Sequence, residues 1–308
     1  IDKVLPWNDG VGKEWKEHLP SYITKNKSIA LEYNQIPALV RNYIYTFIDE
    51  NKVIDISSII SEMRMIKSTE ELKIARHAGE VANVMMQAAK NTIANGVPEY
   101  EIALSTSSAG TKKASELLIK YYQNTRMSPY IHFLQIMASG DQLPLTHHRA
   151  SNKIIKYGDP VFICFCGMAN FHRFKLGFDR TFWLGEIKNK LQIKTYEVAV
   201  NSQAAALKVL TPGITASAVH AAYADSIQSE GYPYPTFRCG RSTGFSFLEQ
   251  PQLVVGEETI IKPGMVLAVD GSANSNNFRA QVGDTFIITE NGYEQITSFS
   301  KSLDDVII

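Results

Sequence analysis

The sequence predicts an α+β fold made of a unit used twice, on three observations. Long stretches carry apolar residues at helical spacing. Each helical stretch is broken by a glycine turn and followed by an apolar hairpin entered through glycine. The two copies of this helix, turn, helix and hairpin pattern lie about 110–120 residues apart, which points to a duplicated architecture. A curved antiparallel sheet with helices outside it buries both apolar faces, and two such halves leave a crevice between them.

Taken in order, residues 1–58 predict a small α/β piece: a strand at Ser28–Glu32, a helix near Pro37–Glu50 and a strand at Lys52–Asp55. This is short for a domain, and is expected to be the rear part of an N-terminal domain whose front is missing. Residues 59–308 form the main domain. In it, Ser68 and Glu71 make a capping box, after which Leu72, Ala75, Ala78, Val81, Ala82, Met85, Met86 and Ala89 recur at helical spacing. Gly96 ends that helix and Val97-Pro98-Glu99-Tyr100 opens the next. The second copy has a helix from about Leu191 to Leu210, the turn Pro212-Gly213-Ile214-Thr215, and a helix from near Ala216. The hairpins begin at Lys156-Tyr157-Gly158 and Lys262-Pro263-Gly264.

Composition excludes several classes. Apolar residues are 44% of 308, enough for a sizeable core, and Lys+Arg and Asp+Glu both total 31. Zero net charge recruits neither nucleic acid nor an anionic membrane by bulk electrostatics. No apolar run reaches the length of a membrane span. Ile1-Asp2-Lys3-Val4 is not a signal peptide, and with no initiator Met the chain is expected to be trimmed. Three cysteines, Cys164, Cys166 and Cys239, suit a reducing cytoplasm better than a disulfide framework.

Met63-Arg64-Met65-Ile66-Lys67-Ser68-Thr69-Glu70-Glu71, Pro98-Glu99-Tyr100-Glu101, Ser139-Gly140, His147, Gly158-Asp159, Asp179-Arg180-Thr181, Gly240, Gly264-Met265-Val266 and Asp284-Thr285 occur in that order. From about residue 58 onward this set resembles the creatinase, prolidase and methionine aminopeptidase superfamily. The resemblance implies its pita-bread fold, with residues 1–58 a remnant of the creatinase-type N-terminal domain, and a homodimer. In the metallopeptidase members the hairpins and a Gly-His motif supply two Asp, one His and two Glu to bind metal. Here the corresponding positions are Cys164 or Cys166, then Gly177, Arg241, Asp270 and Gly283. A single carboxylate survives, and a guanidinium repels a cation rather than ligating it. No metal and no other cofactor is therefore expected.

The resemblance also implies a metal-free route. In creatinase-like enzymes a His before the first hairpin moves the proton and carboxylates hold a cationic substrate group; His147, Asp179 and Asp270 match those positions. Histidine suits proton transfer near neutral pH, although His147 and His148 also read as polar loop residues. Asp179 is either ligand-facing or paired with Arg180, though adjacent strand residues face opposite ways. Asp270 is either a pocket carboxylate or a turn former before Gly271. If both carboxylates face one crevice, they make an anionic pocket for a cationic nitrogen. Arg241, between Gly240 and Gly244, is a fork for a substrate carboxylate, a partner for Asp270, or a solvated loop residue. His148 and Glu249 complete the candidate set. Cys164 and Cys166 read chiefly as small packed residues, and less readily as soft-metal ligands.

The expected activity is hydrolysis of a C–N bond in a small zwitterionic amidino or guanidino amino-acid derivative. The alternatives are an Xaa-Pro dipeptidase-like metallopeptidase and a catalytically inactive binding protein.

Overall fold

A computed structural model describes residues 14–23, 27–131, 136–145, 147–167, 169–275 and 277–308. Ile1–Val4 and Thr146 lie outside them. The chain divides into a first unit up to Met63 and a second from Arg64, a few residues past the boundary read from the sequence.

The first unit holds α1 (Glu14–His18), β1 (Ile29–Leu31), α2 (Ala38–Ile44), β2 (Val53–Asp55) and most of α3 (Ser57–Met65). β1 and β2 pair in parallel, with Ile29 opposite Val53. A parallel pair needs a crossover, and α2 supplies it.

The second unit opens with α4 (Thr69–Thr92) and α5 (Glu99–Tyr122). The capping box forms as read: Glu71 N donates to Ser68 Oγ at 3.3 Å and Ser68 N to Glu71 Oε2 at 2.7 Å. The predicted stripe of α4, from Ala75 to Ala89, is buried. Next come β3 (Ile136–Ser139), β4 (Pro160–Cys164), the short β5 (Asn170–Phe171) and β6 (Phe174–Lys175), and β7 (Asp179–Trp183). The second half gives α6 (Lys190–Val209), α7 (Ala216–Ser229), β8 (Gly240–Ser242), β9 (Glu249–Leu253), β10 (Val266–Ser275), β11 (Phe278–Thr289), β12 (Gly292–Gln295) and α8 (Leu303–Val306). Gly158 and Gly264 adopt φ of +90° and +85°, left-handed turns that favour glycine.

Eight strands form one sheet in the order β3-β4-β7-β11-β10-β8-β9, with β12 on β11. The two hairpins meet where β7 pairs with β11. Helices α4 and α5 pack on each other, as do α6 and α7, and α6 lies against β10 and β11. This is the duplicated α+β architecture expected. Among the described residues no helix is long and apolar enough to cross a membrane.

Candidate active site

Strand register builds the site. Cys164 lies opposite Asp179, Asp179 opposite Gly283, and Gly283 opposite Asp270. These four residues form one row across β4, β7, β11 and β10, and side chains in one row share a face. The turn reading of Asp270 is corrected here: β10 runs on to Ser275, because β11 pairs with it on both sides of Asp270.

The two carboxylates converge over a glycine. A Cβ on Gly283 would sit 2.3 Å from Asp270 Oδ1 and 2.8 Å from Asp179 Oδ2, so any side chain there would displace them. Asp179 is 1% exposed. Its Oδ2 accepts from Gln281 Nε2 at 2.6 Å. Asp179 Oδ1 and Asp270 Oδ1 find no partner among the described residues. Burial, and then the charge of Asp179, push the Asp270 carboxyl up to about 7 against the pull of Arg241. The pairing of Asp179 with Arg180 does not occur: Arg180 points to the other face and binds Asp284 at 2.7 Å.

Arg241 lies on β8 opposite Ala268 and is 3% exposed. Its Nη1 meets Asp270 Oδ2 at 3.4 Å and its Nη2 meets Cys166 Sγ at 3.7 Å. Its Nε has no partner among the described residues. The guanidinium carbon stands 4.2 Å from the centre of the Phe247 ring, a cation–π arrangement. Burial opposes its charge, but Cys166, Asp270 and Asp179 hold its pKa above the ordinary arginine value. It therefore partners Asp270 and is not a solvated loop residue. A Cβ on Gly177 would lie 3.0 Å from Arg241 Nη2 and 2.7 Å from Ala268 Cβ, so the guanidinium occupies space that a side chain at 177 would need.

These positions do not fit a two-metal centre. Two of the five are glycines whose missing side chains leave room for other groups, and a third carries a buried cation. The sulfurs of Cys164 and Cys166 and one oxygen of Asp179 do lie within 4.8 Å of one another. That donor set is mainly soft, unlike the oxygen and imidazole ligands of hard or borderline divalent ions. Burial, then Cys166 and Asp179, push the Cys164 thiol well above its usual range.

Above the row opens a cleft of about 740 Å³, lined among others by His147, Cys166, Arg241, Asp270 and Gln281. His147 is exposed, on backbone with φ +62°. Asp179 does not line the cleft; Gln281 covers its Oδ2. Nor does His148, whose Nδ1 hydrogen-bonds the Met137 carbonyl at 2.9 Å, with Glu99 Oε2 4.0 Å away. Glu249 is also elsewhere, in a buried pair with Lys67 at 2.9 Å. The structure thus gathers His147, Asp270 and Arg241, with Asp179 behind them, and leaves His148 and Glu249 out.

Sequence reasoning passed over Arg238, Arg279 and Gln281, which all line the cleft. The signal for two of them was strand alternation: residues 279, 281 and 283 share a face of β11. Cys166, read as packed, is half-buried and faces the cleft.

The family model for metallopeptidase family M24 matches residues 73–290. The chain belongs to this family. Among curated proteins, an Xaa-Pro dipeptidase from Pyrococcus furiosus is 30% identical over 250 residues, covering 80% of this chain and 67% of the relative. An agropine synthesis cyclase from Rhizobium rhizogenes is 28% identical over 275 residues, covering 88% and 69%. A creatinase from a Bacillus species is 24% identical, covering 97% and 76%. The solved prolidase of Pyrococcus furiosus superposes with a TM-score of 0.79 at 26% identity, covering 92% of this chain and 79% of that one. The pita-bread fold is thereby established, and the M24 chain is a hydrolase by its family.

Proposed function

We propose that this M24 chain is a metal-independent, creatinase-like hydrolase that cleaves a C–N bond in a small zwitterionic amidino or guanidino amino-acid derivative. One observation carries the reading: Asp270, in the cleft, has an oxygen with no partner among the described residues, backed by Asp179, with Arg238, Arg241 and Arg279 lining the same cleft. An unsatisfied buried carboxylate calls for a partner, and an amidinium supplies both the charge and the hydrogen bonds.

In this reading Asp270 holds the cationic end, with Asp179 fixing the local field. Arg241 is bound within the protein to Asp270 and Cys166, so the grip on the substrate carboxylate passes to Arg279 and Arg238. Arg279 lies over the Phe162 ring at 4.9 Å, which orients its fork. His147, at the mouth, moves a proton between water and the leaving nitrogen, as base and then acid. The similarity to a creatinase supports this assignment, and the glycines at 177 and 283 support independence from metal.

The test is a turnover screen of amidines and guanidines, including creatine and ectoine, read by amine release with and without chelator. Because one relative is a cyclase, ring closure with loss of water is read in parallel. Chelator-insensitive release is expected. The competing reading, an Xaa-Pro dipeptidase-like metallopeptidase, is favoured by the 30% identity above. Two bound Mn, Zn or Co per chain, with dipeptide hydrolysis abolished by chelator, would overturn the proposal in its favour.

A further inference from the structure

We propose that Cys166 is a nucleophile of this cleft, attacking the amidinium carbon and carrying the substrate fragment as a covalent intermediate. The inference deepens the hydrolase reading and rests on it for its substrate class.

Three observations single out this thiol. Cys166 is the half-buried cysteine, whereas Cys164 and Cys239 are buried. Of the three, Cys164 and Cys166 line the cleft, and Cys164 is 2% exposed. Cys166 Sγ also receives Arg241 Nη2 at 3.7 Å. A thiolate is the reactive form of cysteine, and an adjacent fixed cation favours it.

The local chain holds this contact in place. β4 ends at Cys164, and the chain turns through Gly167 at φ +76°. A Cβ on Gly167 would sit 2.9 Å from the Phe247 ring, and that ring underlies the guanidinium. Phe247 and Asp270 therefore fix Arg241, and Arg241 faces the sulfur. Independent of the thiol, two groups lining the same cleft call for a ligand. Among the described residues, the Nε of Arg241, 3% exposed, and the Oδ1 of Asp270 have no partner. An amidinium hydrogen-bonded to Asp270 brings an electrophilic carbon into the cleft that Cys166 lines.

The step balances. The Cys166 proton passes to His147, and the thiolate attacks the amidinium carbon. A C–S bond forms while the C=N π pair moves to nitrogen. The C–N bond then breaks, and the leaving nitrogen takes the proton from His147. A thioimidate cation remains on the sulfur. Water gives a proton to His147 and adds to the same carbon. The C–S bond breaks, the thiol reforms with the proton released by the carbonyl, and His147 passes its proton to the amine. Amidinium and water become amide and ammonium; a guanidinium gives a urea.

The test compares 2-chloroacetamidine with its neutral counterpart 2-chloroacetamide on the full chain, with sites located by peptide mass spectrometry. Relative to free N-acetylcysteine, Cys166 is expected to prefer the amidine by about tenfold or more. Acetamidine should protect it, with Cys164 and Cys239 unlabelled. No preference, or an unlabelled Cys166, overturns the proposal. A second arm uses any amidine found to be turned over. Cys166→Ala and Cys166→Ser should lose about a hundredfold or more in kcat while still being thermally stabilised by acetamidine. Acid-quenched wild-type protein should show the adduct on Cys166. Full kcat in Cys166→Ala overturns the nucleophile and leaves the hydrolase reading standing. If no amidine is turned over, the hydrolase reading fails and selective labelling alone decides for the thiol.

Discussion

Asp179 and Arg180 are neighbours on β7, and Gly283 and Asp284 are neighbours on β11, yet each pair splits between opposite faces of the sheet. On the helix-covered face, Asp284 Oδ1 accepts from Arg180 at 2.7 Å and from Thr297 at 3.3 Å. Its Oδ2 accepts from Lys301 at 3.0 Å and from Gln203 at 3.2 Å. Arg180 also binds the carbonyls of Asp179, Gly283 and Phe299. On the cleft face, Arg241 makes two long contacts, and Arg241, Asp179 and Asp270 each keep an atom without a partner among the described residues. Both clusters are largely buried, so burial does not separate structure from function here. The degree of satisfaction does: a complete network rigidifies the fold, whereas an incomplete one is poised for a ligand.

The largest effect that would sharpen this contrast is on activity. His147→Ala is expected to lower kcat/KM by about 10²–10⁴-fold on the cognate amidine, with an unchanged melting temperature because the side chain is exposed. Unchanged turnover would remove His147 from the site.

Stability should show the reverse pattern. Asp284→Asn leaves Arg180 buried against a neutral partner and should cost about 3–5 kcal/mol in urea unfolding. Asp270→Asn should cost less than about 1 kcal/mol, or stabilise, since it removes repulsion with Asp179. Equal losses would break the comparison.

The Asp270 carboxyl rises to about 7 in the folded protein from an ordinary 3.8. Between these values the folded state holds more protons than the unfolded state, so this group makes stability fall as pH rises from about 4 to 7. Its slope approaches about 1.4 kcal/mol per pH unit, and Asp270→Asn should flatten it. Acetamidine binding should strengthen through the same region as the carboxylate ionises. A pH-independent affinity, measured by calorimetry, would contradict the assignment.

Smaller effects follow. Gly283→Ala should cost about 1–3 kcal/mol by overpacking and abolish acetamidine binding by displacing both carboxylates. His148→Ala loses one hydrogen bond, about 1 kcal/mol, with kcat unchanged; a large fall in kcat would place His148 in the machinery after all.

Much of the fold was legible because its signals are local. The Ser68–Glu71 box, the apolar stripe of α4 and the glycine turns at 158 and 264 are each written within a few residues of chain. Helix periods and left-handed turns report themselves over that distance. The M24 pattern, and the glycine, arginine and glycine at 177, 241 and 283 where the resemblance implies metal ligands, were equally readable as single positions.

Tertiary structure alone decided which groups meet. Asp179, Gly283 and Asp270 belong to separate strands, and only the register of β7 on β11 on β10 sets them in one row. The same register turned Asp270 from a turn residue into a mid-strand carboxylate and committed Arg241 to Asp270 and Cys166. Long-range pairing also withdrew Glu249 to Lys67 and opened Cys166 to the cleft. Sequence spacing cannot encode these outcomes, because a one-residue slip between distant strands would send every one of these side chains to the opposite face.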